Sequence, residues 1–204
     1  MLLTDKSNNT DRSELPVAVF DSGVGGISVL RELRTLMPNE DYIYFGDCLN
    51  APYGTKRVSE IERLTLDAAK YLVGKNIKCL TVACNTATAV CISRLREIYT
   101  DIPVIGVEPA LKPAVKSNPH GNIVVMATPV TLRQEKFIHL LNKYGENSKA
   151  KIIMLPCPGL VELIESGKTE GECIESRIKE LFAPFDISKL DAVVLGCTHY
   201  PFIK

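Results

Sequence analysis

The sequence predicts an α/β protein of two related, pseudo-symmetric domains, each a parallel sheet covered by helices. Three observations predict it. Apolar runs of strand length recur along the chain, and each is followed by a stretch with helical spacing. The runs are continuous rather than alternating, which is how strands buried on both faces read. A single phrase also occurs twice. Lys78-Cys79-Leu80-Thr81-Val82-Ala83-Cys84-Asn85-Thr86 and Asp191-Ala192-Val193-Val194-Leu195-Gly196-Cys197-Thr198-His199 each join an apolar strand to a small residue, a cysteine and two hydrogen-bonding residues.

Residues 1–16 are polar and of mixed charge, without the apolar stretch of a signal peptide, and read as a flexible extension. Strands are expected at 17–20, 42–45, 79–83, 104–107, 123–127, 152–155 and 192–195. Helices are expected at 26–36, 58–74, 86–98, 130–144, 159–166 and 172–183. In the helix over 58–74, Val58, Ile61, Leu64, Ala68 and Leu72 fall on one stripe. The strand ending at Phe20 leads into Asp21-Ser22-Gly23, and the strand ending at Ala127 leads into Thr128-Pro129-Val130, at matching places before the two cysteine phrases. This reads as a duplicated unit joined near Thr100-Asp101-Ile102-Pro103, with domains over 17–100 and 101–204. Such a pair holds its ligand in the cleft between the halves, at the carboxyl ends of the strands.

Composition narrows the function. Lys+Arg and Asp+Glu both number 24, so a net charge of zero gives no reason to expect nucleic acid or an anionic membrane as a partner. No apolar run reaches the roughly 20 residues of a membrane helix. Seven cysteines, an odd number, with no Cys-x-x-Cys pair and no zinc-type histidine spacing, argue for free thiols in a reducing cytoplasm.

Two thiols delivered by one local geometry suggest a site with a sulfur on either side. Opposed thiols can remove a proton from one face of a carbon and return it to the other, which is racemisation. Cys84 sits where a strand gives way to a helix, and the helix N-terminus favours an anion there. An ordinary thiol, with a pKa of about 8.5, is only about 3% ionised at pH 7. The helix lowers that pKa by around one unit and burial in a cleft raises it again, so each thiol needs a partner group. Asp21 and His199 are the nearest by motif.

Asp21-Ser22-Gly23-Val24-Gly25-Gly26 is a glycine-rich turn lacking the Gly-Lys-Ser/Thr ending of a phosphate loop. An aspartate at its lip suits a small ammonium-bearing ligand: Asp21 for the cation, Ser22 and the turn amides for a carboxylate. Tyr53, in Pro52-Tyr53-Gly54, is placed to close over a ligand. On spacing alone, either Glu162 or Glu165 faces the cleft, or both lie on a solvated helix surface.

Val19-Phe20-Asp21-Ser22-Gly23-Val24-Gly25-Gly26, Pro52-Tyr53-Gly54, Ala83-Cys84-Asn85-Thr86 and Gly196-Cys197-Thr198-His199-Tyr200-Pro201, in this order, resemble glutamate racemases of the aspartate/glutamate racemase superfamily. The resemblance runs from about Pro16 to the end. It implies a cofactor-independent enzyme that interconverts L- and D-glutamate and supplies D-glutamate for bacterial peptidoglycan. By motif, Cys84 and Cys197 match the two acid/base thiols, the first acting on the D-enantiomer and the second on the L-enantiomer. Asp21 and His199 match auxiliary groups that exchange protons with them. Asp21, Ser22, Tyr53, Gly54, Asn85, Thr86, Thr198 and His199 match substrate-binding positions, and Thr128 is a further candidate for a substrate carboxylate. Glu165 matches an acidic residue near the second thiol.

The resemblance further implies a homodimer, and in some members activation by UDP-N-acetylmuramoyl-L-alanine. It also implies a C-terminal segment beyond Lys204 that completes the first domain; without it that sheet has an uncovered edge. Three other readings compete: the same chemistry on aspartate or a hydantoin, a truncated form that binds ligand without turnover, and a nucleotide-binding α/β protein resting on the glycine turn alone.

Overall fold

The computed structural model describes residues 12–145 and 148–203. Most of the stretch 1–16 expected to be flexible, residues 1–11, lies outside the described residues. Arg12–Glu14 form one 3-10 turn, tied down by the Arg12 guanidinium donating to the Asp101 carbonyl and by Lys78 donating to the Ser13 carbonyl.

The expected seven strands are present. Strands β1 (Val17–Asp21), β2 (Tyr42–Gly46), β3 (Cys79–Val82) and β4 (Val104–Gly106) form a sheet in the order β2-β1-β3-β4. Strands β5 (Asn122–Ala127), β6 (Lys151–Pro156) and β7 (Ala192–Leu195) form a second, in the order β6-β5-β7. Every pairing is parallel. The orders β2-β1-β3 and β6-β5-β7 superpose as topologies, so the duplication read from the sequence is visible in the register. The join falls later than 100–103, however. Leu80–Val82 pair with Val104–Gly106, so the strand after Pro103 closes the first sheet rather than opening the second. The Thr100-Asp101 turn is an ordinary helix-to-strand loop.

The helices are α1 (Ile27–Leu36), α2 (Val58–Val73), α3 (Asn85–Ile98), α4 (Leu111–Ser117), α5 (Pro129–Arg133), α6 (Glu135–Gly145), α7 (Leu160–Glu165) and α8 (Glu172–Phe182). None among the described residues is long and apolar enough to cross a membrane. On α2 the buried stripe is Ile61, Leu64, Thr65, Ala68, Ala69 and Leu72, whereas Val58 is exposed in the first turn. Helix α4 was not among the expected helices, and it carries Pro113. The proline stands in the first turn, where its missing N–H has no intrahelical partner to lose. Leu111 and Val115, one turn apart, are the residues it buries.

The helix expected over 130–144 is two helices, broken at Gln134, whose backbone is extended (φ −76°, ψ 140°). The break has a packing cause. Val130 belongs to the core of the first domain, with Ile61, Ala87 and Cys91, while Phe137 belongs to that of the second, with Leu111, Ile123 and Val125. Positions seven apart on one straight helix share a face, so only a bend lets the two side chains enter different cores.

The first sheet packs Ala18, Phe20, Leu80 and Val82 against α2 and α3. Its other face is more thinly covered: α1 has no fully buried side chain, and β2 is half-buried throughout. The second sheet is covered on both faces, by α7 and α8 on one and by α4 and α6 on the other.

Candidate active site

Parallel strands deliver their carboxyl ends to one edge, and the two sheets meet edge to edge there. The first sheet contributes Asp47 after β2, Asp21 at the end of β1 and Cys84 two residues past β3. The second contributes Cys157 after β6, Thr128 after β5 and Cys197 two residues past β7. Asp21, Cys84, Thr128, Cys157 and Cys197 are all buried. All seven cysteines are free thiols.

Cys84 is the N-cap of α3. Its sulfur accepts the Ala87 backbone N–H at 3.4 Å, and its S–H donates to Ser22 Oγ at 3.4 Å. The Ala87 amide, and the Ser22 hydroxyl once it turns to donate, favour a thiolate, but burial outweighs them. With the charge of Asp21 nearby adding to the effect, the thiol is pushed up to about 11. The lowering expected from the helix N-terminus is therefore overturned by desolvation. Cys197 is raised well above the usual thiol range, again by burial first, with Cys84, Asp21 and Cys157 adding to it and the His199 backbone N–H opposing.

Each sulfur has a basic group at hand. His199 lies 1% exposed, with Nδ1 3.7 Å from Cys197 Sγ and Nε2 2.5 Å from Glu165 Oε1. The Glu165 carboxylate accepts at Nε2, which keeps a proton there and leaves Nδ1 able to accept from the Cys197 thiol. Asp21 accepts the Gly23 N–H at 3.0 Å on one oxygen and the Thr198 hydroxyl at 2.9 Å on the other. Complete burial raises it to about 6, against the lowering effect of His199 and these hydrogen bonds. A carboxylate in that range accepts and releases a proton near neutral pH.

The glycine turn has a different role from the one its composition suggested. Its Gly23 N–H goes to Asp21 and its Val24 N–H to Glu165 Oε1 at 2.9 Å, so protein carboxylates hold the amides expected to hold a ligand's. None of its glycines has a positive φ. They are needed for close approach: a Cβ on Gly23 would overlap the Glu165 carboxylate, and one on Gly25 would overlap the His199 ring and the Thr198 hydroxyl. Glu165 is thus the acid of α7 that faces the cleft, and Glu162 is exposed.

The remaining expected residues gather at the same place. Asn85 Nδ2 donates to the Val107 carbonyl at 3.3 Å. The hydroxyls of Thr86, Thr128 and Thr131 form a ring across the domain junction, with separations of 3.0, 3.1 and 2.9 Å. Gly54 lies against Thr128, where a Cβ would collide with its side chain. Tyr53 is not a free lid: it is 1% exposed, packs on Phe20, and donates its hydroxyl to Asp47 Oδ2 at 2.7 Å.

Several residues of the site were not anticipated from sequence. Asp47 fixes Tyr53. Tyr44 donates to the Gly23 carbonyl at 2.5 Å, and Ser28 to the Thr198 carbonyl at 3.2 Å. Thr131 completes the hydroxyl ring, and Cys157 and Tyr200 line the second thiol's side. The signal that could have found Asp47 and Cys157 is the one that found Asp21 and Thr128, since each lies at or directly after the end of a strand of the repeated unit.

Comparison with known proteins agrees with this geometry. The profile of the Asp/Glu/Hydantoin racemase family matches residues 27–204. Glutamate racemase of Clostridium novyi (strain NT) is 53% identical over 194 residues, spanning 95% of this chain and 74% of that protein. That of Clostridium botulinum (strain Langeland / NCTC 10281 / Type F) is 55% identical over 192 residues, 94% of this chain and 74% of its own. The glutamate racemase of Francisella tularensis in complex with D-glutamate superposes with a TM-score of 0.80 at 36% identity, over 93% of this chain and 71% of that one. The Escherichia coli enzyme, in complex with L-glutamate and the activator UDP-MurNAc-Ala, superposes with a TM-score of 0.78 at 35% identity, over 92% and 71%. With two parallel-sheet domains meeting at their strand ends, and these relatives matched along nearly its whole length, the chain belongs to the Asp/Glu/Hydantoin racemase family, among its glutamate racemases.

Proposed function

We propose that the protein interconverts L- and D-glutamate by a two-thiol acid/base mechanism that needs no cofactor. The observation that carries the reading is the pair of strand-end sulfurs in one pseudo-symmetric site, each beside its own proton acceptor. The substrate's Cα lies between them. With D-glutamate, Cys84 as thiolate removes the Cα proton while the Cys197 S–H donates one to the opposite face. With L-glutamate the roles exchange.

Because burial keeps both thiols protonated at rest, the first event is a proton shift: from Cys84 to Asp21, or from Cys197 to Nδ1 of His199, which Glu165 steadies at Nε2. The hydroxyls and amides of Ser22, Gly54, Asn85, Thr86, Thr128, Thr198 and His199, with the backbone amide of Tyr53, hold the substrate's charged groups and stabilise the carboxylate as negative charge grows on it. Release of the threonine ring and of the Glu165–Val24 bond, as the domains part, admits the ligand.

The test is isotopic. In deuterated water, product glutamate carries deuterium at Cα, and Cys84→Ala and Cys197→Ala each lose turnover. A single variant that racemises glutamate normally refutes the two-thiol mechanism. Aspartate is the competing substrate, and a panel of L-amino acids separates the two.

The same reading makes the protein a source of D-glutamate for peptidoglycan, acting in the cytoplasm, where thiols stay reduced, and as a homodimer, which light scattering tests. The activator bound by the Escherichia coli relative supports a like response here. A rise in kcat/KM on adding UDP-N-acetylmuramoyl-L-alanine is the expected result, and an unchanged rate removes it.

A further inference from the structure

Asp47 follows β2 as Cys84 follows β3, yet its carboxylate is turned to its own loop. Both oxygens are in use. Asn50 Nδ2 donates to Oδ1 at 2.9 Å and to Oδ2 at 3.0 Å, and the Tyr53 hydroxyl donates to Oδ2 at 2.7 Å. The Asp47 backbone N–H donates to the Asp21 carbonyl at 3.0 Å, so the main chain ties this residue to the strand that ends in the site. One side chain thus links the end of β2 to the turn Tyr53–Thr55.

The loop between them has little packing of its own. No residue from 47 to 52 is fully buried, and Leu49 is 95% exposed. The chain is buried again at Tyr53 and Gly54. The Tyr53 ring belongs to one core cluster with Phe20, Ala87 and, from α5, Val130. Gly54 comes so close to Thr128 that a Cβ would overlap its side chain. Apolar burial holds the Tyr53 ring in the core but has no direction, whereas a hydrogen bond fixes distance and angle. The bond to Asp47 is therefore what sets how deeply the turn sits.

We infer that Asp47 is a positioning residue: through the Tyr53 hydroxyl it sets the Tyr53–Gly54 turn against Thr128 at the depth where the turn's amides meet the substrate. The inference rests on the proposed function, which gives those amides a share in binding. A bond from a hydroxyl to a carboxylate is among the stronger hydrogen bonds. Burial first, and then the bond to Asp47, hold the Tyr53 phenol above its usual range, so it remains a donor. Asp47 exchanges no proton itself. Its loss weakens substrate binding and leaves the proton transfers in place.

The experiment is steady-state kinetics of the full chain with each enantiomer of glutamate. Asp47→Ala is expected to raise KM about tenfold with kcat within about twofold of the parent, the pattern of lost uniform binding. Tyr53→Phe removes the other end of the same bond and gives the same split. Combined, the two changes raise KM no further than one alone, because they delete a single interaction. Asp47→Asn, which keeps an acceptor oxygen for the phenol, recovers most of the affinity. A merely structural role would lower the melting temperature and the active fraction, and so kcat, without raising KM. An unmoved KM overturns the inference, as do effects of the two changes that multiply. If Asp47→Ala does not fold, Tyr53→Phe decides: a raised KM at unchanged kcat supports the inference and an unmoved KM overturns it. A parent protein that does not turn over glutamate overturns the proposed function itself. Turnover with a KM indifferent to Asp47→Ala overturns only the role of Asp47.

Discussion

The first half of the molecule holds its sulfur by a helix, whereas the second holds its own by side chains. Cys84 caps the 14-residue α3 and takes an amide from it. Cys197, at the same topological position, leans on His199, itself clamped by Glu165 of α7. Behind the sulfurs the halves differ again: β1 ends on a buried carboxyl, and β5 leads into a threonine that caps α5. Duplication supplied the backbone frame, and the divergence lies in the groups proposed to move protons. A site that must accept two mirror-image substrates therefore has matching positions filled by unlike chemistry.

The comparison can be broken at Asp21, where the largest effect is expected. Asp21→Asn removes the first half's proposed proton acceptor and is predicted to lower kcat/KM by about 10²–10⁴ in both directions. The same variant sharpens the electrostatic contrast. Asp21 holds its proton more tightly folded, at about 6, than at its ordinary value of 3.8. Its contribution to stability is thus complete below about pH 4 and is lost as pH rises through 6, by about 3 kcal/mol in all. Urea denaturation from pH 4 to 7 should show this slope in the parent and a flatter one in Asp21→Asn.

Next comes the close approach of the halves. Gly25→Ala pushes the His199 ring and the Thr198 hydroxyl away. Misplacement on that scale costs about 10²-fold in kcat, with thermal melting showing whether the fold survives. Glu165→Gln keeps the shape but removes the charge steadying Nε2, and a loss of about tenfold in kcat is expected. An unchanged kcat would make Glu165 a strut for Val24 alone. The smallest effect is at the hydroxyl ring, where Thr131→Val is expected to cost about 1 kcal/mol in denaturation and to alter KM more than kcat.

Much of this was legible in the sequence because it depends on local rules. Continuous apolar runs marked the seven strands of the described residues, and the repeated phrase located both sulfurs at strand ends. What was not legible depends on which faces meet. Glu162 and Glu165 are equivalent by spacing, and only the docking of α7 on the glycine turn selects Glu165. The turn's glycines suggested free amides, whereas steric contact from the other domain explains them. Gln134 breaks a helix that its own sequence would continue, because Val130 and Phe137 serve different cores. Tyr53 looked like a lid and proved to be a core residue anchored by Asp47.

The sulfur cap of α3 carries one more consequence. The Ala87 amide proton lies directly on the Cys84 sulfur, so its resonance frequency reports the charge on that atom. Nitrogen labelling and a two-dimensional spectrum would follow ionisation of one thiol among seven, with no chemical tag and no substitution. The helix thus contains its own voltmeter, wired to the first of the two sulfurs and blind to the second.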